Sequence, residues 1–156
     1  TCHNNLRAPL LAFGMSLEQV ALVDFNRYAH VAANEMRFLG ENGVILIGSS
    51  HWVDGRSGTQ PRWCTIEGNL IHHIGLYTKQ SCAVLSALAC QNTIQQNVMF
   101  HGPRALVNVN DGYAPASCPF AVTTFQSVHL RDRLSVFRFG GATLIRQNLF
   151  FASVLE

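Results

Sequence analysis

Isolated apolar residues recur along this chain at fixed offsets from an asparagine. The segments are Val31-Ala-Ala-Asn34-Glu-Met36, Thr65-Ile-Glu-Gly-Asn69-Leu-Ile71, Thr93-Ile-Gln-Gln-Asn97-Val-Met99 and Leu144-Ile-Arg-Gln-Asn148-Leu-Phe150. Three residues before the Asn stands Val31, Ile66, Ile94 or Ile145, and two after it stands Met36, Ile71, Met99 or Phe150. One apolar side chain between polar neighbours, on each side of a corner, predicts two short strands that each bury one face. Gly40 and Gly75 lie six residues after their Asn, and Gly102 five after. Each Gly predicts a turn, because it takes positive φ at little steric cost. An apolar run such as Val44-Ile-Leu-Ile47 then supplies a third strand. Three short strands and three turns make one coil of a parallel β-helix, in which each coil pairs only with its neighbours. The predicted class is therefore all-β, with Asn34, Asn69, Asn97 and Asn148 stacked as a hydrogen-bonding ladder.

Spacing sets the organisation. Asn69 to Asn97 is 28 residues, while Asn34 to Asn69 is 35 and contains Ser49 to Arg62, rich in Gly and Ser without periodicity. That stretch reads as a loop thrown out of one coil. Asn97 to Asn148 is 51 residues, too long for one coil. Residues 1–30 carry no clear repeat and are expected to be irregular or capping. Leu17 to Phe25 reads either as a strand or as a short helix starting at Ser16. The expectation is a single partial domain over 1–156, with coils in 31–112, an insertion outside the stack at 113–138 and a truncated last coil in 139–156. That makes about four coils.

Composition narrows the function classes. The chain is 48% apolar and 13% charged, which suits a packed core rather than a disordered tail. The net charge of +2 and the single lysine, Lys79, do not make a phosphate-binding face, so no nucleic-acid partner is expected. No apolar run reaches the roughly 18 residues of a spanning helix, and no membrane partner is expected. Cys2, Cys64, Cys82, Cys90 and Cys118 lack zinc-type spacing and read as small core residues. No metal or cofactor is expected.

The motifs Gln60-Pro-Arg62, Thr65-Ile-Glu-Gly-Asn-Leu-Ile-His72, Lys79-Gln80-Ser81, His101-Gly-Pro-Arg-Ala105 and Asn108-Val-Asn-Asp-Gly112 occur in that order. With them the chain resembles the right-handed parallel β-helix proteins of the pectin-lyase-like superfamily, and a narrower eukaryotic group within it. The resemblance covers about residues 34–112 and again 139–156. In similar proteins Asn-Asp-Gly leads straight into Phe-Gly-Gly; here 26 residues, Tyr113 to Arg138, intervene, and 51 − 26 = 25 restores one coil. Similar proteins also continue into further coils rich in His, Asp, Ser and Trp. The resemblance implies a right-handed solenoid, a carbohydrate-related role with a polysaccharide partner, and an extracellular or cell-surface setting.

Candidate chemistry is sparse. Glycoside hydrolysis needs two carboxylates across a groove, and a lyase needs a base and a cation to neutralise the sugar carboxylate. Among nine acids no pair is close in sequence; Glu67 aligns with Gln95 of the next coil and reads as a solvated turn residue. Lys79 and Arg104 fall in matching Gly-turn regions and, with Asp111, are the weak catalytic candidates. Asn108 and Asn110 alternate with Val109 and so share a face; with His51, Trp52 and Arg62 they are the substrate-binding candidates. His72 and His73 are adjacent, so in a strand they face opposite sides and do not share a metal. His101 aligns with His73, which predicts a stacked pair. Three readings result: a non-catalytic carbohydrate-binding or structural solenoid, a lyase or hydrolase on an acidic polysaccharide, or a truncated product without activity. The expected exposed coil end, carrying Leu149, Phe150 and Phe151, points to self-association.

Overall fold

The computed structural model describes residues 5–6, 20–49, 59–110, 126–128, 137–139 and 143–151. These residues form three sheets of short strands and, among them, no helix. The first sheet stacks β3 (His30–Ala32), β6 (Thr65–Glu67), β9 (Thr93–Gln95) and β14 (Thr143–Arg146). The second stacks β4 (Glu35–Arg37), β7 (Leu70–His72), β10 (Val98–Phe100) and β15 (Leu149–Phe151). The third stacks β2 (Val20–Val23), β5 (Val44–Ile47), β8 (Val84–Ala87) and β11 (Val107–Asn110). Every neighbouring pair within these columns is parallel. The chain visits the sheets in rotation, one strand each per coil: it is a parallel β-helix.

The register is the one the repeat predicts. Val31, Ile66, Ile94 and Ile145 lie over one another, as do Met36, Ile71, Met99 and Phe150. The first seven of these are almost wholly buried, and Phe150 packs against them from a half-buried position. The third sheet adds Val44, Val84 and Val107 in one column and Leu46, Ser86 and Val109 in the next. A slip by one residue would turn every inward side chain outward, so burial itself locks this register.

Of the two readings open for Leu17 to Phe25, the strand is the one observed, over Val20–Val23. Val20 and Leu22 point into the core while Ala21 and Val23 face outward, and β2 pairs in parallel with β5. The alternation Val-Ala-Leu-Val therefore makes a strand, and β1 (Asn5–Leu6) also pairs in parallel with β3. Between Asn97 and Asn148 no coil intervenes: β14 lies directly on β9, and β15 on β10. Two strands from the intervening stretch are described. β12 (Gln126–Val128) adds antiparallel to β11, and β13 (Phe137–Phe139) adds antiparallel to β14. The rest of 113–138 lies outside the described residues. At the base of the long loop, Ser49 donates its backbone N–H to Thr59 at 3.3 Å, while residues 50–58 lie outside the described residues.

The corners carry the cost of turning so tightly. Eleven described non-glycine residues have φ between 50° and 57°, all between strands. Ala33, Gln96 and Gln147 take this conformation directly before the ladder Asn, and Gly68 does so in the second coil with φ 62°. The left-handed residue is thus the one before each Asn, not the Asn itself. That leaves each Asn side chain pointing inward. Asn34 donates its backbone N–H and its Nδ2–H to Oδ1 of Asn69, both at 3.0 Å. Asn69 does the same to Asn97 (3.0 and 2.9 Å), and Asn97 to Asn148 (3.0 and 2.9 Å). The second Nδ2 hydrogen of Asn69, Asn97 and Asn148 goes back to the carbonyls of Val31, Ile66 and Ile94 at 2.9–3.0 Å. Each rung thereby satisfies corner groups that no strand can pair.

Candidate functional site

On the outside of the first sheet the side chains form two straight columns, because alternate residues of each strand face away from the core. One column is His30, Thr65, Thr93 and Leu144; the other is Ala32, Glu67, Gln95 and Arg146. Neighbouring rungs lie about 4.8 Å apart, so long polar side chains touch along the solenoid axis. His30 Nε2 is 2.7 Å from Glu67 Oε1. Gln95 donates from Nε2 to Glu67 Oε2 at 2.6 Å, and Arg146 donates from Nε to Gln95 Oε1 at 2.8 Å. One polar network therefore runs across four coils, with Arg146 exposed at its end.

An aromatic wall borders these columns. Tyr28 and Trp63 occupy equivalent corners of successive coils, both with positive φ, and their rings stack with centroids 5.1 Å apart and planes 16° from parallel. Both remain exposed, at 59% and 43%. Arg27 lies 5.9 Å from the Trp63 ring centre. Tyr28 covers Trp63 from the preceding coil, which leaves the opposite ring face toward the next one. Columns and wall together enclose an open groove of about 510 Å³, lined by Tyr28, His30, Trp63, Thr65, Glu67, Thr93, Gln95 and Arg146 among others. Its lining combines hydroxyls, an amide, a carboxylate, a guanidinium and an exposed indole.

The sequence candidates lie elsewhere. Lys79 donates from Nζ to the Gly75 carbonyl at 3.1 Å, and Arg104 donates from Nη1 to Gln80 Oε1. Both serve the turn between the second and third sheets, and neither lines the groove. Arg62 donates from Nη2 to Oε1 of the fully buried Gln60 at 3.1 Å, so its guanidinium is a corner brace. Asn108 and Asn110 do share the outer face of β11, opposite the buried Val107 and Val109. Asn108 is itself 7% exposed, and its Oδ1 has no partner among the described residues. His51, Trp52 and Asp111 lie outside the described residues. Glu67, expected to be a solvated turn residue, sits at the centre of the groove network instead.

The histidine expectation is corrected in part. His73 and His101 do stack across coils, with centroids 4.5 Å apart. His72 and His73, however, do not face opposite ways: their Nδ1 atoms are 2.6 Å apart. The reason is that β7 ends at His72, and His73 turns with φ 51°, which breaks the alternation. Burial lowers the pKa of both rings; at His72 the neighbouring Glu35 opposes that shift, and at His73 His101 adds to it. Cys64, Cys82 and Cys90 are buried free thiols, as expected of core residues.

Comparison of the chain with protein-family models, with curated proteins and with solved structures finds no match in any of the three.

Proposed function

We propose that this chain is a non-catalytic glycan-binding solenoid, right-handed and akin to the pectin-lyase-like proteins, holding polysaccharide at or outside the cell surface. The observation that carries this reading is the groove itself: an exposed indole beside a polar network with one rung per coil. A sugar ring offers an apolar face for an aromatic plane and hydroxyls at its rim for Thr, Gln and Glu side chains. Rungs about 4.8 Å apart match a polymer of repeating rings laid along the axis. Arg146 favours a glycan that carries carboxylates. Its Nε is used by Gln95, and its terminal amino groups have no partner among the described residues, which suits a bidentate carboxylate contact.

The same lining favours binding over cleavage. It contains one carboxylate, Glu67, already tied to His30 and Gln95, whereas hydrolysis uses a pair. Electrophoresis through gels cast with uronate polymers or neutral glucans tests the reading. The expected result is retardation by uronate polymer, weakened about tenfold in affinity in Arg146→Ala, an amount in keeping with a charged hydrogen bond. Neither unsaturated products nor new reducing ends should form. Absence of retardation in every gel overturns the binding reading; product release restores the enzyme reading.

A further inference from the structure

A different corner of the solenoid, between the second and third sheets, holds a second constellation, independent of the groove. In register on the outside of the second sheet stand Arg37, His72, Phe100 and Phe151. His72 stacks on Phe100 at 4.7 Å with planes 6° apart, and Phe100 on Phe151 at 4.6 Å and 10°. One residue further on, Phe38, His73 and His101 occupy matching left-handed corners. Two nitrogens meet where the columns adjoin: Nδ1 of His72 and Nδ1 of His73, at 2.6 Å. The remaining nitrogen of each ring also faces a neighbour. His72 Nε2 lies 3.7 Å from Glu35 Oε1, and His73 Nε2 lies 3.1 Å from His101 Nδ1.

We propose that His72 and His73 form a two-imidazole site for a late first-row transition-metal ion, Cu(II) above all, completed by water. Two nitrogens bound to one ion at about 2 Å sit about 3 Å apart, so the pair need open by only a few tenths of an ångström, and the proton of their hydrogen bond moves by a change of tautomer to His73 Nε2, which then donates to His101 Nδ1. Imidazole suits copper, nickel and zinc, and copper binds most tightly in that series. Ligating histidines characteristically donate their other ring N–H to a partner that fixes tautomer and orientation. Here His101 stands in that position for His73 at 3.1 Å, while Glu35 lies beyond hydrogen-bond distance of His72 and supplies a negative charge beside it. Both ligands are preset: His72 by its stack on Phe100, His73 by its corner. Partial exposure of His73 and His101 leaves the ion room for water. No group of three or more His, Cys, Asp or Glu among the described residues is placed to hold a metal, so the site has two protein ligands.

The test is titration of the metal-free full chain with Cu(II) alone, followed by calorimetry and electron paramagnetic resonance. The expected result is one ion per chain with a two-nitrogen signature, and a melting temperature that rises with Cu(II). His72→Phe keeps the ring stack and His73→Asn keeps a residue tolerant of the left-handed corner, so each should fold and lose the signal. His101→Asn should weaken affinity roughly 10–100-fold while keeping the stoichiometry. Binding unchanged in both ligand variants, or no binding at all, overturns the proposal. If either variant misfolds, paramagnetic broadening in the unaltered protein decides: loss of the His72 and His73 imidazole resonances supports the site, and broadening confined to other histidines refutes it.

Discussion

At the scale of single residues the molecule depends on groups that only a corner can satisfy. Asn97 accepts two buried hydrogen bonds from Asn69 and donates to the Ile66 carbonyl, also away from water, and to Asn148 in a part-buried bond. Asn97→Ala leaves several of these partners buried and unpaired, at 1–3 kcal/mol each, so chemical denaturation should show a loss of about 3 kcal/mol. A loss within error of zero would show that the ladder does not hold the coils. The converse holds at Ala33, an exposed residue with φ 56° where the next coil uses Gly68. An L-residue in that region pays roughly 1–2 kcal/mol, and glycine gives back part of that in entropy. Ala33→Gly should therefore stabilise by about 0.5 kcal/mol, read from the denaturation midpoint at unchanged slope. Destabilisation would place the strain elsewhere.

At the scale of strands and corners, legibility follows repetition. The ladder could be read because the same Asn returns with the same apolar neighbours. Asn42 and Asn92 do similar work: they accept from the backbone N–H of Cys82 and Cys64 at 3.0 and 2.9 Å. Each occurs once without a register partner, so nothing marked them. The groove wall has its own signal in the repeat: Tyr28, Trp63 and Gln91 each stand six residues before a ladder Asn. Strand alternation does not place His72 and His73, because β7 ends at His72 and the corner begins at His73. Lys79 and Arg104 are cations in matching turns, and a turn carbonyl and a side-chain amide occupy them. The corner at Cys82 yields a pH prediction. Burial raises this thiol from 9.0 to about 12, and its Sγ donates to Asn42 Oδ1 at 3.4 Å. The unfolded thiol ionises first as pH rises, so the stability this group contributes is intact below pH 9 and lost between 9 and about 12. Thermal melts across that window should fall more steeply for the native protein than for Cys82→Ala. Parallel profiles would contradict it.

At the scale of the whole molecule, one architecture lines up residues that are far apart in sequence. Parallel stacking in register turns a 28-residue repeat into columns, and a column of like positions becomes a surface. The first sheet presents a polar network beside an indole; the second presents stacked rings and paired imidazoles. The inner face of the same strands is sealed by Val, Ile, Leu and Met, so outer residues can change without disturbing the core. The most direct check follows Trp63 itself. In a Trp52→Phe background it is the sole tryptophan, and it stands 43% exposed at the groove edge. Titration with a uronate oligosaccharide should shift its fluorescence to shorter wavelength and saturate. The same titration in Arg146→Ala should saturate at about tenfold higher concentration. Emission that stays constant while the sugar is shown by calorimetry to bind, or no binding at all, would contradict the glycan groove.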